Sequence, residues 1–411
     1  MRLNKILRGD VILLMETELK NVLTELEPKM VEIRREIHRN PELGFEEEET
    51  AALIGETLAE QGIEAETGIA KTGLVALVGE ENSEGPVVGI RADMDALSLS
   101  EHCTTDYCSR EKDKMHACGH DGHVAIALGT ALAADRLSEY LSGQIKFIFQ
   151  PAEEGPGGAE PMISEGVLQD PDVDCLLALH IWDKAEAGEI EIKKGPTFAA
   201  IDEFDLELRG ASAHGACPHH GRDTIVIASE IIQKLQSLVS REVNPAAGSV
   251  ISIGKILGGD RRNILAGSVE MEATVRALSE EVRDFLERRI EEVISGTCAL
   301  NNIDYDLEYR RLYPPLINDK ELAELVRLEA EKVDDIEEVR VAEQPTMGGE
   351  DFAYFARELP AFMFWLGGQN PEEGITAPLH NPDFDFDESI MKPGAEVFLR
   401  SVRRLMMDWQ E

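Results

Sequence analysis

The sequence predicts an α/β fold, an open sheet with a smaller α+β unit inserted into it. Three observations carry this. Short apolar runs, LVALVG, VVGIRA, IKFIF and CLLALHI, alternate with helix-period stretches through the first half of the chain, the signature of strands joined by helices. Near Phe204 the pattern changes to strands and helices in close succession, and after Tyr313-Pro314-Pro315 the first kind of signal resumes. At 411 residues the chain is also too long for one ordinary core, so two domains are expected: 1–200 with 312–411, and 201–311 between them.

Taken in order, Leu19, Val22, Leu23, Leu26, Met30, Ile33 and Ile37 recur at helical spacing and predict an amphipathic helix from about Glu16 to His38, ended by Pro41. His38 then falls in the last turn, where it would meet terminal carbonyls. The basic residues before VILLM faintly suggest a signal peptide. The apolar run is too short and acids follow at once, so the segment reads as the start of a helix. A second helix is expected over 49–62 and another over 122–140. In the inserted unit, FDLELRG, a helix over 224–240, SVISIGKIL, SVEMEATVRAL, a helix over 280–295 and DYDLEYR follow one another. AFMFWLGG reads as a late strand, and a final helix starts near Pro393.

Composition excludes several functions. Eighty acidic residues face 40 basic ones, for a net charge of −40. Phosphate contacts need basic patches, so no nucleic-acid partner is expected. No run approaches the ~18 apolar residues of a membrane span, so no membrane partner is expected either. The charge suits a well-solvated surface, or a salt-rich cytoplasm in which screening relieves self-repulsion. Six cysteines scattered over a long chain point to a reducing, cytoplasmic setting, with Cys103 and Cys108 as free thiols and not a redox pair.

The chemistry is concentrated in MHACGHDGH and QPAEE. Cys118 and His120, separated by a glycine that permits a tight turn, can place two donors near one metal pair. Glu153 and Glu154 follow a strand, and an adjacent carboxylate pair can divide the work of ligand and proton-moving base. Asp93 and Asp95 follow VVGIRA, and His180 closes CLLALH; ligands in open α/β sheets collect beyond the carboxyl ends of the strands. That context makes His180 a metal ligand, and His380, after FMFWLGG, joins it. His116, His123 and Asp121 are expected to hydrogen-bond behind the ligands. In GASAHGACPHH, His214 can donate to an oxyanion. Arg276 or Arg262 can supply a cation for a substrate carboxylate. Glu350 and Asp351 in MGGEDFAYF read as acids at a helix N-terminus or as a wall of the site. Cys118 paired with His120 or His123 also reads as a cysteine nucleophile, a reading that leaves the glutamates and the remaining histidines without a task.

Together RREIHRNPELGFEE, RADMDAL, MHACGHDGH, QPAEEGPGGA, ALHIW, GASAHGACPH, RRNIL, MGGEDFAYF and LHNPDFDFDE resemble the amidohydrolase branch of the aminoacylase and carboxypeptidase metallopeptidase superfamily, over nearly the whole chain. The resemblance implies a zinc-peptidase-like catalytic domain with an open mixed sheet, and an inserted lid that often mediates dimerisation. A homodimer or higher homo-oligomer is therefore expected. It also implies two divalent metals, zinc or manganese, with cobalt or nickel as further candidates. Their ligands would be Cys118, His120, Glu154, His180 and His380, with Glu153 as general base and acid. His214 would hold the tetrahedral intermediate, and Asn263 and Arg276 would grip the substrate carboxylate. The implied reaction is amide hydrolysis of an N-acyl amino acid. Ser98 in place of a proline, the segment EHCTTDYCSREKDK, and HGACPH in place of HAAMPH are departures that bear on substrate preference.

Overall fold

The computed structural model describes residues 2–80, 83–102 and 104–409. Its strands are β1 (Ala65–Ile69), β2 (Gly73–Gly79), β3 (Val87–Asp93), β4 (Gln144–Gln150), β5 (Cys175–Glu186), β6 (Glu189–Ile192), β7 (Gly195–Phe198), β8 (Ala200–Arg209), β9 (Ser249–Gly258), β10 (Ser268–Ala277), β11 (Asp304–Arg311), β12 (Leu316–Asn318), β13 (Glu338–Val341) and β14 (Ala361–Gln369). The helices are α1 (Arg2–Arg39), α2 (Glu48–Ala59), α3 (His120–Arg136), α4 (Ala159–Ser164), α5 (Thr224–Ser237), α6 (Glu280–Asn301), α7 (Lys320–Ala330), α8 (Ala353–Glu358) and α9 (Met391–Asp408). None is long and apolar enough to cross a membrane.

The chain divides into two compact units. The first comprises Met1–Gly195, Asn318–Glu343 and Tyr354–Glu411; the second comprises Pro196–Ile317 and Gln344–Ala353. The short segment containing Glu350 and Asp351 thus groups with the inserted unit, whereas the sequence reading assigned everything after residue 312 to the larger one.

The first unit is built on an eight-stranded mixed sheet ordered β1-β2-β4-β3-β5-β14-β6-β13. β3 is parallel to both β4 and β5, and every one of its residues is buried, in keeping with a run that is apolar but for Arg91 up to its final Asp93. α1 buries Leu19, Leu23, Leu26, Met30, Ile33 and Ile37, the stripe its periodicity predicts, and ends at Arg39 just before Pro41. It continues through Pro28, which the periodicity alone does not announce. α3 is buried from His120 to Ala134 and carries apolar or small residues nearly all round. One correction concerns β5: it does not stop at His180 but runs on to Glu186. Its pairing with β3 ends at Arg91↔Ala178, while its pairing with β14 continues through Trp365↔His180. His180 therefore projects beyond β3 from inside a strand.

The second unit is a four-stranded antiparallel sheet ordered β11-β8-β10-β9, with α5 and α6 packed on it. Asp223 and Ser279 cap these helices with side-chain oxygens. Inside, Arg283 donates to Asp202 from Nε (3.0 Å) and Nη2 (2.6 Å), and the Tyr309 hydroxyl donates to the same carboxylate at 2.8 Å.

A further correction concerns the cysteines. Cys108 is disulfide-bonded, against the expected free thiol, while Cys103 lies outside the described residues. The polar loop is folded back on itself, with Ser109 N–H on Glu101 Oε2 at 2.5 Å, a constraint that spacing does not reveal. Cys118, Cys175, Cys217 and Cys298 are free.

Candidate metal centre and active site

Three loops of the first unit bring the donors together. β3 ends on Asp93 and the loop after it carries Asp95, both buried. After β4, the turn at Ala152 carries Glu153 and Glu154. Before α3, Gly119 adopts φ 87°, the left-handed conformation that turns the chain between Cys118 and His120. A fourth segment delivers His380, itself at φ 61°; its backbone N–H donates to the Ala117 carbonyl at 2.7 Å, tying it to the residue before Cys118.

Donor atoms of Cys118, His120 and His180 lie within 4.8 Å of one another, as do those of Cys118, Glu154 and His380, and those of His120, Glu153 and Glu154. Cys118 Sγ is 3.5 Å from His180 Nε2 and 3.3 Å from His380 Nε2. His380 Nε2 approaches Glu154 Oε1 at 3.1 Å, an ion-pair distance without hydrogen-bond geometry. The same carboxylate oxygen and His120 Nε2 are buried and lack any hydrogen-bond partner. Buried polar atoms are rarely left so, and two that face a thiol, imidazoles and carboxylates fit a bound cation.

The outer ring nitrogens fix which inner ones are free. His120 Nδ1–H donates to the Asp95 carbonyl at 2.9 Å, and His180 Nδ1–H donates to the Ile181 carbonyl at 2.6 Å. Both rings thus present Nε2 inward, the arrangement metal-binding histidines use. His123 differs: Nδ1–H donates to Asp93 Oδ1 at 2.5 Å and Nε2 accepts the Ile181 N–H at 2.8 Å. With both nitrogens engaged it braces the site and has no lone pair left for a metal. Asp93 is itself held by Arg91 Nη1 at 2.5 Å.

Charge in the cluster calls for a cation. Burial alone would lower the His120 imidazolium, but Asp93, Asp95 and Glu154 outweigh it and lift it to about 10. Burial, together with Glu154 and Glu153, pushes the Cys118 thiol well up. Burial holds His180 neutral, down to about 3. A divalent ion would replace the protons on His120 and Cys118. A raised thiol is also the opposite of what an unassisted cysteine nucleophile needs.

Other sequence-stated residues are placed as follows. His116 is buried with both ring nitrogens unpartnered, so the expected hydrogen bond behind the ligands is absent there. His38 does not meet carbonyls at the end of α1; its side chain lies 2.8 Å from Asp121 Oδ2 and 3.0 Å from Glu101 Oε1. The reason is long-range packing: Arg34, one turn earlier, donates to the same Asp121 oxygen at 2.8 Å and to Asp385 at 2.6 Å. This buried group grips the first turn of α3 beside His120. Glu350 accepts the Phe352 N–H at 2.9 Å, a local turn just before α8.

In the second unit His214 is exposed, and its Nδ1 accepts the Ala216 N–H at 3.1 Å. The adjacent Gly215 N–H donates to the Asn263 carbonyl at 2.8 Å, so these two loops meet. Arg276 lies on β10, where Nη1 donates to Thr274 Oγ1 at 2.5 Å; burial lowers its guanidinium. Among the described residues no hydrogen bond or ion pair joins Arg276 to His214 or Asn263.

Sequence reasoning missed Glu47. It is buried and accepts the Ala152 N–H at 2.9 Å and the Thr72 hydroxyl at 2.6 Å. No periodicity or spacing marks it; the segment NPELGFEE carries a resemblance and no chemical signal of its own.

Comparison with known proteins gives the arrangement its lineage. Residues 89–404 match the family described as Peptidase family M20/M25/M40. The N-acetyl-L-cysteine deacetylase of Bacillus subtilis (strain 168) is 36% identical, over 97% of this chain and 93% of its own. Thermostable carboxypeptidase 2 of Saccharolobus solfataricus is 36% identical, over 92% of this chain and 95% of its own. The solved structure of Bacillus subtilis YXEP, a dinuclear metal binding peptidase from the M20 family, superposes with a TM-score of 0.80 at 30% identity, covering 93% of this chain and 99% of that one. A matched stretch running from β3 into α9, through every donor described above, makes this chain a hydrolase of peptidase family M20/M25/M40.

Proposed function

We propose that the chain hydrolyses the amide bond of N-acyl amino acids. Cys118, His120, Glu154, His180 and His380 hold two divalent metals, zinc or manganese in the first place, and Glu153 moves the proton. The observation that carries this is the pair of buried atoms without a hydrogen bond, His120 Nε2 and Glu154 Oε1, beside a second carboxylate on the adjacent residue. The bound metals would supply Lewis-acid polarisation and a water acidic enough to react near neutral pH. Glu153 takes the proton of the attacking water and hands it to the leaving nitrogen, which is why the adjacent carboxylates divide into ligand and base. His123 and Asp93 keep His180 in register through the Ile181 peptide. In the second unit, His214 donates to the developing oxyanion, and Asn263 and Arg276 receive the substrate carboxylate. The likeness to an N-acetyl-L-cysteine deacetylase supports the substrate class. Cytoplasmic residence and a homo-oligomer remain part of this reading.

The likeness to a thermostable carboxypeptidase favours one second reading, hydrolysis of small peptides. The test of both is amine release by protein stripped with chelator and reloaded with zinc, manganese, cobalt or nickel. N-acetyl, N-benzoyl and N-indole-acetyl amino acids form one arm, and dipeptides and N-blocked peptides the other. Metal-restored release from the first arm is the expected result. Release only from the second would replace the substrate class, and release from neither would end the hydrolytic assignment for these substrates.

A further inference from the structure

Three successive backbone N–H groups precede the chemistry, and all are held by carboxylates. Ala152 N–H donates to Glu47 Oε1 at 2.9 Å, Glu153 N–H to Asp95 Oδ1 at 2.9 Å, and Glu154 N–H to Asp95 Oδ2 at 2.9 Å. Ala152 sits at φ 56°, a left-handed conformation that is unfavourable for a residue with a Cβ and persists only where surroundings enforce it. The segment around Glu47 does the enforcing. A Cβ on Gly44 would lie 2.6 Å from the Gly155 carbonyl oxygen and 2.9 Å from the Ala152 Cβ, so the two loops are in direct contact. Glu47 also occupies the N-cap position of α2, yet its side chain makes no capping hydrogen bond there. A residue serving only helix stability would spend its carboxylate on that helix.

We propose that Glu47 is a positioning residue: through Ala152 N–H it locks the left-handed turn that aims Glu153 and Glu154 at the metal centre. The inference rests on the roles assigned to those two glutamates above. Glu47 fixes the turn's first peptide and Asp95 the next two, so the carboxylates of Glu153 and Glu154 leave one rigid turn in fixed directions. Losing the first anchor lets Ala152 relax towards negative φ, and both glutamates swing with it.

The experiment is cobalt titration of chelator-stripped wild type, Glu47→Ala, Glu47→Gln and Gly44→Ala, followed by visible absorption and with melting temperatures recorded. Glu47→Ala is expected to weaken cobalt binding about 10- to 100-fold, the usual scale for residues behind metal ligands, and to change the absorption envelope. Glu47→Gln keeps an acceptor for Ala152 N–H and is expected to retain wild-type affinity. Gly44→Ala displaces the same turn from the other side and reproduces the loss, which keeps the test open if Glu47→Ala does not fold. A purely structural role would lower the melting temperature of Glu47→Ala and leave cobalt affinity and spectrum unchanged; that result overturns the inference, as does a Gln variant no better than the Ala one. Cobalt binding needs no substrate. Wild type that binds cobalt but hydrolyses nothing therefore breaks the functional reading alone, whereas wild type that binds no cobalt breaks both.

Discussion

The donor cluster of the first unit and the histidine loop of the second are built in opposite ways. In the cluster two of the rings that present Nε2 inward are pinned on the other side: His120 by the Asp95 carbonyl and His180 by the Ile181 carbonyl. Behind them, Arg91, Asp93, His123 and the Ile181 N–H form one continuous chain of hydrogen bonds. His214, by contrast, is exposed, and its ring takes a single local hydrogen bond from Ala216. The difference teaches which part of the chemistry is set by folding alone. His120 and His180 are buried and pinned in this way, whereas His380 is exposed, so under the proposed function metal affinity is expected to depend on the first unit, with His380 as its least constrained donor. Under the proposed function the exposed His214 meets substrate and no metal, so changes there should touch turnover and leave metal affinity alone.

Substitutions at six positions sharpen or break that contrast. The largest effect is expected from Cys118→Ala or His180→Ala, which should lose bound metal and take amide hydrolysis to background; metal per chain after dialysis is the readout, and a full metal complement would remove these residues from the donor set. Next, His214→Ala should cut kcat by about 10²–10³, the cost of one oxyanion donor, with cobalt affinity at the wild-type value. A drop in its metal affinity would erase the division of labour between the units. His123→Leu takes the hydrogen bond from Asp93 Oδ1 and leaves the Ile181 N–H without its acceptor in the interior; metal affinity should fall about 10- to 100-fold, measured by competition with a chromophoric chelator. Arg276→Ala should raise KM about tenfold or more for a substrate with a free carboxylate, as expected for loss of a charged hydrogen bond. Equal KM values for the acid and its amide in wild type would argue against a carboxylate contact. The smallest effect belongs to His116→Leu: with both nitrogens unpartnered, an apolar side chain of similar size should alter stability by no more than about 1 kcal/mol and leave metal content unchanged.

His116 and His123 also show where sequence reasoning stops. The two flank the same motif, and spacing treats them alike. What separates them is Asp93, 30 residues earlier, and the Ile181 N–H, 58 residues later, neither of which local pattern can reach. His38 fails for the same reason: its place in the last turn of α1 suggested carbonyls, but Asp121, 83 residues on, is the partner. The strands were legible because β3, β4 and β5 lie in the sheet interior and each carries a short run of mostly apolar residues. The extension of β5 past His180 was not, because it depends on β14, which pairs there while β3 has already ended. Gly119 was legible because a tight turn between two donors requires a residue free to take positive φ. Ala152 takes positive φ without being glycine, and the residue that holds it, Glu47, carries no local signal. The segment Gln344–Ala353 read as part of the larger unit because nothing in its composition tells which core it joins.

The assignment of Glu153 as the proton carrier, distinct from Glu154 as a ligand, is the central claim. Glu153→Ala, reloaded with metal and assayed on the N-acyl amino acid that wild type turns over best, tests it directly. The expected result is a metal content equal to wild type with turnover reduced by at least about 10²–10⁴, the range for loss of a general base. Wild-type turnover at full metal content would contradict it, and loss of metal together with turnover would make Glu153 a ligand.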